Sequence, residues 1–374
     1  MADNLSKTIL IVTDFYKPHT SGIITSIDLY LKVLLKNNFK ITILTGNHTG
    51  KLKEIEYLKN LKIIRAKILF KFSRGFFSLD LVKHYLIESK KHYYVNIQYP
   101  LVEIFPLVFF LKKKLIFNYH CLPVYNSFFL KFIKLYFYFF GMLSMFLSNK
   151  IIVFSNDYFE SFFGHRLFNN KTIEIPPYIN SSPKLNYKKI NRSKLIIGYL
   201  GRLSEEKGLE VLIKSSFLLE NKNFKHFIKI AGDLKDGRFN NYINKIKKIT
   251  KKSNNIKFIG KILESKKINF FNSIDVLVLP SSNSMEAFGL VQLEAMSHGI
   301  PVIVSNLKGV RIPVMLTKNG YVFQNGDAYE LANLLIKVFN NIKTFNKNTI
   351  KNSYLKHYNK EKFDKEYLSI FNKI

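Results

Sequence analysis

Between Asp275 and Pro280 the chain reads Val-Leu-Val-Leu, with no polar residue inside the run. A strand without a polar position must be covered on both faces, which is the situation of a parallel sheet held between helices. The stretch that follows, Ser281–Gly299, holds a polar loop with two carboxylates, Glu286 and Glu294. It then gives a short amphipathic helix, Leu290–Ser297, stopped by Gly299 and Pro301. Ligands of open α/β sheets gather at the carboxyl ends of the strands, and anions gather at helix N-termini. Gly289 lets the backbone amides of Phe288 and Leu290 approach a phosphate. Glu294, about a turn further in, can accept hydrogen bonds from sugar hydroxyls.

The same alternation opens the chain. Thr8–Thr13 reads as an apolar strand, Asp14–Ile23 as a loop with Pro18 and Gly22, Thr25–Lys36 as a helix and Lys40–Thr45 as the next strand. This order begins a Rossmann-like half. Lys62–Ala66 and Val95–Gln98 are further short strands and Leu79–Lys90 a helix, with no motif among them. Leu115–His120 and Ile151–Phe154 continue the series, and His120 stands at a strand's carboxyl end. The pattern restarts at Leu195–Leu200, whose loop, Gly201–Gly208, places Arg202 and Lys207 beside a helix opening at Leu209. There a diphosphate would meet two cations and free backbone amides. Strands follow at Phe227–Ala231, Ile256–Ile259 and Val302–Ser305, and after the run Gly320–Phe323 comes a helix at Ala328–Phe339. A chain of 374 residues exceeds one ordinary core and suits two domains of roughly 150 to 190 residues.

Two sets of residues carry a family resemblance. Glu286 and Glu294 have seven residues between them, and the run from Ala295 through Met296, Ser297, His298, Gly299, Ile300 and Pro301 to Val302 follows them. Gly201-Arg202-Leu203, with Glu206-Lys207-Gly208 behind it, is the second set. Together they resemble the signature of glycosyltransferase family 4. The resemblance implies an α/β chain of the GT-B fold, in which two Rossmann-like domains face each other across a cleft. Residues 1–180 would be the acceptor-side domain, 181–193 a linker and 194–354 the nucleotide-sugar-binding domain. The tail, 355–374, would pack back onto the first domain. The turn at Pro176 to Asn180 is similar to the family's domain end.

The resemblance also implies roles. Arg202, Lys207 and the amides at Phe288, Gly289 and Leu290 would hold the diphosphate with Gly201 near them. Glu286 would hold the transferred sugar and Glu294 the ribose. The backbone near Lys261 and Ile262 would hold the nucleobase, and His120 would face the donor sugar and acceptor. Relatives usually carry two adjacent glycines in the first loop, where this chain has Ser21 and Gly22, so only Gly22 offers close backbone approach. Many carry a further glutamate where this chain has Ile312. The implied activity is retaining transfer of a sugar from a UDP- or GDP-sugar, with no cofactor. The protein's own cations face the phosphates, and the sequence has no Asp-x-Asp motif or clustered ligand set, so no metal is expected.

Composition narrows the partners. The net charge of +32 comes mostly from lysine and looks partly like codon bias, so it is weak evidence for a nucleic-acid partner. A helix-turn-helix, zinc finger or RNA-recognition signature is lacking. The single cysteine, Cys121, permits no internal disulfide and fits a cytosolic setting. The first residues read as a strand and not a signal peptide. From Ile104 to Asn156 there is no Asp or Glu, but there are six lysines and sixteen Phe or Tyr. Within it Ser127–Leu147 reads as a crossover helix with excess apolar surface, able to sit on a membrane. These features predict a peripheral protein at the cytoplasmic face of an anionic membrane, acting on a lipid-linked or surface-polysaccharide acceptor. The alternatives are a nucleotide-sugar epimerase or hydrolase on the same fold, and a basic nucleic-acid-binding protein.

Overall fold

The apolar runs assemble into two large sheets, one in each half of the chain. The computed structural model describes residues 7–72, 75–101, 107, 114–122, 131–179, 193–342 and 344–372. The expected linker, apart from Ser193, lies outside these residues. So do Lys112, Lys113 and the first turn, 127–130, of the expected apolar helix. The chain divides into two units, one of residues 1–177 with 361–374 and one of residues 178–360.

The strands of the first unit are β1 (Thr8–Val12), β2 (Lys40–Gly46), β3 (Ile55–Leu58), β4 (Leu61–Ala66), β5 (Phe70–Phe72), β6 (Gly75–Phe77), β7 (Tyr94–Tyr99), β8 (Lys114–Tyr119), β9 (Lys150–Val153) and β10 (Thr172–Glu174). Eight of them form one sheet in the order β10-β9-β8-β7-β1-β2-β4-β3, and β5 and β6 pair as a hairpin. Pairing in the large sheet is parallel except at its edge, where β3 runs antiparallel to β4. Every residue of β1 and of β7 is buried, as a parallel sheet covered on both faces requires. From β1 the strand order runs one way through β2 and the other way through β7, so the switch point lies between β1 and β7.

The helix Gly22–Lys36 begins three residues earlier than Thr25, because the Ser21 hydroxyl caps the Ile24 amide at 3.3 Å. At the far end of the chain, the helix Lys360–Asn372 completes this unit's core. Tyr367 stacks on Tyr30 at 4.5 Å between ring centroids, Phe371 lies against Phe39 at 5.0 Å, and the Tyr94 hydroxyl donates to the Phe371 carbonyl at 3.3 Å. Tyr30 and Tyr367 are fully buried. Burying each such ring contributes about 1.5–3 kcal/mol.

The second unit has β11 (Leu195–Leu200), β12 (His226–Ala231), β13 (Ile256–Gly260), β14 (Val276–Leu279), β15 (Val302–Ser305) and β16 (Gly320–Phe323), all parallel, in the order β13-β12-β11-β14-β15-β16. This is the doubly wound arrangement, and its switch point lies between β11 and β14. A core of Ile197, Tyr199, Leu212, Ile230, Val278 and Leu335 joins the sheet to the helices Leu209–Asn221 and Ala328–Asn340. The helix Leu290–Ser297, expected to be amphipathic, is not. Gln292, Leu293, Ala295, Met296 and Ser297 are all buried, because the helix Lys347–His357 packs over the face that would have met solvent. Tyr354 of that helix fixes the start of the unit, its hydroxyl donating to the Ile179 carbonyl and accepting from the Ile179 amide, both at 2.8 Å.

Candidate active site

The two loops singled out in the sequence leave adjacent strands at the second unit's switch point. Gly201–Gly208 follows β11 and Ser281–Gly289 follows β14, and these strands pair directly. The loops are laced together through backbone. The Ser282 amide donates to the Glu206 carbonyl at 2.9 Å, and the Ser282 hydroxyl donates to the Glu205 carbonyl at 3.0 Å. Gly208 has φ +63°, and a Cβ there would stand 1.9 Å from the Pro280 carbonyl oxygen. Only glycine permits this approach. Gly289, with φ +77°, has the same restriction, because a Cβ would meet Leu279 Cδ2 at 2.4 Å. It caps the N-terminus of the helix beginning at Leu290. The buried Gln292 pins this turn, donating from Nε2 to the carbonyls of Phe288 at 2.6 Å and Val310 at 2.9 Å.

Lys207 and Glu286, 79 positions apart in sequence, meet as a direct ion pair, Nζ to Oε2, and the Ser281 hydroxyl also reaches Glu286 at 3.4 Å. Both side chains are largely buried. Arg202 pairs with Glu206 at 3.4 Å while keeping about half its side chain exposed, 46%. Its carbonyl accepts from the Tyr199 hydroxyl at 2.6 Å, which ties the loop to the core. Gly201 closes the end of β11, its amide donating to the Ala231 carbonyl at 3.0 Å. Phe288 is buried and Leu290 half-buried.

Glu294, within the helix Leu290–Ser297, pairs with Lys267 at 2.8 Å. Burial raises the Glu294 carboxyl above its ordinary value, against the pull of Lys267. Burial opposes charge on Lys267, yet pairing with Glu294 and Glu264 raises it. Lys261 follows β13, exposed and 3.7 Å from Asp233, with Ile262 half-buried beside it. Lys207, Glu286 and Arg202 therefore share one pair of loops. Glu294 and Lys261 belong to neighbouring elements of the same unit.

The remaining candidates stand in the first unit. Gly22 opens the helix after β1 and accepts from the Ser26 hydroxyl at 2.9 Å. His120 lies one residue past β8, 5% exposed, its backbone amide donating to the Tyr99 carbonyl and its Nε2 2.7 Å from Gln98 Oε1. Burial lowers its pKa to about 3, so the ring is neutral. In the second unit, Ile312 begins the helix Ile312–Thr317 and offers no carboxylate.

Sequence reasoning missed Glu206, Lys267, Gln98 and Gln292. Glu206 was visible within its motif but passed as filling. The others sit on unremarkable strands and helices, and only the tertiary pairing reveals them. No cluster of three or more His, Cys, Asp or Glu side chains suited to a metal occurs among the described residues.

Comparison with known proteins agrees with this arrangement. The capsular polysaccharide biosynthesis glycosyltransferase CapM of Staphylococcus aureus is 29% identical over 162 residues, 43% of this chain but only 41% of its own length. The uncharacterized glycosyltransferase MJ1069 of Methanocaldococcus jannaschii is 26% identical along 98% of both chains. Among solved structures, HepE of Anabaena in complex with UDP superposes with a TM-score of 0.74, covering 98% of this chain and all of its own at 16% identity, a likeness of fold. Residues 184–356 match the family model described as glycosyl transferases group 1. The matched segment holds both motif loops at the switch point of its doubly wound sheet, on a chain whose fold is GT-B.

Proposed function

We propose that the protein is a retaining glycosyltransferase that moves a sugar from a UDP- or GDP-sugar to a lipid-linked or surface-polysaccharide acceptor at the cytoplasmic face of a membrane. The observation that carries the proposal is the Lys207–Glu286 pair at the switch point, framed by two glycines whose missing side chains let both loops close on the end of β14. Breaking the bond from sugar C1 to diphosphate leaves negative charge on the phosphate and cationic character on the sugar. A cation and a carboxylate in contact are what those two ends require side by side. Arg202, Lys207 and the amides at Phe288–Leu290 take the phosphate charge as it develops. Glu286 holds hydroxyls of the departing sugar, and Glu294, released from Lys267, holds those of the ribose. The acceptor hydroxyl attacks from the face the diphosphate leaves, giving retention. Protein cations cover the phosphates, so transfer proceeds without a metal and survives EDTA. CapM's place in capsular polysaccharide biosynthesis and the UDP bound to HepE support the acceptor and donor classes.

The membrane assignment draws on the helix Lys131–Leu147. Phe132, Leu135, Phe139 and Phe146 fall at steps of three, four and seven, and all are exposed, Phe132 by 65%. Phe163 and Leu167 extend the apolar surface, joined to the helix by the Tyr138 hydroxyl, which donates to the Phe163 carbonyl at 2.6 Å. Exposed Lys134 and Arg166 border it. Lys114 instead lies over the Tyr93 ring, 4.7 Å from its centre. No helix among the described residues is long and apolar enough to cross a membrane.

The test is a thermal-shift and turnover panel of UDP-glucose, UDP-galactose, UDP-N-acetylglucosamine and GDP-mannose with glycolipid acceptors. At least one donor should raise the melting temperature by mass action and yield an anomer-retained product without added metal. Release of free sugar or an epimer with no acceptor product would replace transferase by hydrolase or epimerase.

A further inference from the structure

The motif loops of the second unit stand at the carboxyl ends of its strands. At the amino ends of β11, β12 and β13 there is a separate cleft of about 420 Å³. That volume falls within the range of small-molecule sites, about 300–1,000 Å³. The six-residue strands β11 and β12 set the two ends about 20 Å apart, so this cleft is not the switch-point site. The helix Leu209–Asn221 ends at the cleft, where Asn223, at φ +53°, reverses the chain into β12. The reversal brings Phe224 and Lys225 into the same lining as Glu220.

Glu220 is half-buried, and its Oε1 accepts from the Ser253 hydroxyl and from the Asn255 side-chain amide, the latter at 2.9 Å. These two donors fix the carboxylate. Its Oε2 has no hydrogen bond or ion pair among the described residues. Cations are not lacking in a chain of net charge +32, but those nearby in sequence are engaged elsewhere. Lys194 lies over the Phe227 ring, 5.1 Å from its centre, and Lys222 donates to Asn333 Oδ1 at 2.9 Å. Asn255 also lines the cleft, and donating through its nitrogen leaves its Oδ1 as a second acceptor.

The lining selects by exclusion. An anion would meet Glu220, and a cation would meet Lys194 and Lys225. An apolar molecule would strip water from a carboxylate and an amide without replacing its hydrogen bonds. A neutral molecule rich in hydroxyls escapes all three penalties. It donates to Glu220 and Asn255, accepts from Ser193 and the lysines, and lays an apolar C–H face on Phe224.

We propose that the cleft at the amino ends of β11, β12 and β13 binds a neutral saccharide unit, with Glu220 as its principal acceptor. The site is distinct from the one at the switch point. Binding there requires neither donor nor turnover, so it stands apart from the transferase reading.

Saturation-transfer difference spectra with glucose, galactose, mannose and N-acetylglucosamine read the binding, with excess UDP and GDP present to fill the switch-point site. At least one sugar should give a signal. Its affinity should fall at least about tenfold in Glu220→Gln, the effect of losing one hydrogen bond to a charged acceptor. The corresponding uronic acid should bind more weakly than the neutral sugar. In the unmodified protein the sugar should slow amide hydrogen exchange within residues 220–226 and 253–256, and leave residues 201–208 unchanged. Silence from all four sugars would overturn the proposal. So would unaltered affinity in a folded Glu220→Gln variant, tighter binding of the uronic acid, or slowed exchange confined to the motif loops. If Glu220→Gln does not fold, the exchange pattern of the unmodified protein decides. A protein that binds the sugar at this cleft but turns over no donor would count against the transferase reading alone.

Discussion

Lys207 and Arg202 share an assignment but have different surroundings, and their variants should separate accordingly. Lys207→Ala removes a preorganised charge and should raise the barrier by about 2.7–4 kcal/mol, a loss of roughly a hundredfold or more in kcat. Arg202→Ala should lower kcat similarly but cost less melting temperature than Lys207→Ala, because Arg202 is half exposed and 3.4 Å from Glu206, whereas Lys207 is in direct contact with the largely buried Glu286. Near-normal kcat in both would remove the diphosphate from this loop. The two glutamates divide differently. Glu286→Gln should cripple transfer while UDP or GDP still binds, whereas Glu294→Gln should weaken the nucleoside diphosphate itself, read by calorimetry; the reverse pattern exchanges their roles. His120 gives a prediction in pH. Its folded pKa lies near 3 and its ordinary value at 6.5. Below 6.5 the unfolded chain takes up a proton that the folded chain refuses, so stability falls as pH drops from 6.5 toward 3. The slope from this residue approaches about 1.4 kcal/mol per pH unit. Urea midpoints at pH 7, 6 and 5 should therefore fall less steeply in His120→Asn than in the unmodified protein.

At the scale of elements, the strands were legible and their polar exceptions were not. The runs at Leu195–Leu200 and Val302–Ser305 are strands to the residue, because parallel strands buried on both faces leave an unbroken apolar signature. The motif glycines also stood out, since Gly208 and Gly289 fall where the backbone must adopt positive φ. Gln98 and Lys267 were illegible because their importance comes from residues 22 and 27 positions away, a separation no periodicity reports. The helix Leu290–Ser297 was misread for a related reason: what buries it arrives some fifty residues later in the chain, from Lys347–His357. The helix Lys131–Leu147 keeps its stripe of Phe132, Leu135, Phe139 and Phe146 exposed, and that exposure is open to test. Flotation with vesicles containing anionic lipid should require low salt, and Phe139→Ser with Phe146→Ser should abolish it. Lys134→Gln should weaken it by about 1 kcal/mol, the contribution of one lysine at an anionic surface. Equal flotation with neutral vesicles would remove the electrostatic part of the proposal.

For the whole molecule, the decisive feature is where the first unit finds its last helix. Residues 178–360 form one uninterrupted unit, but the first is made of residues 1–177 and a final piece beginning at Glu361. During synthesis, which proceeds from the N-terminus, the earlier segment emerges with Tyr30, Phe39 and Tyr94 lacking the rings of Tyr367 and Phe371 that pack on them. The second unit has all its strands before that helix exists. The first unit to be made is thus the last to be finished, and it waits with apolar surface uncovered for the length of the second. A stop codon after Asn359 should accordingly leave the switch-point loops of the second unit folded. The damage should appear in the first unit, as proteolysis within residues 1–177 and aggregation from the segment farthest in sequence from the lesion. Protection of that segment equal to the full chain's would show that it closes its core unaided.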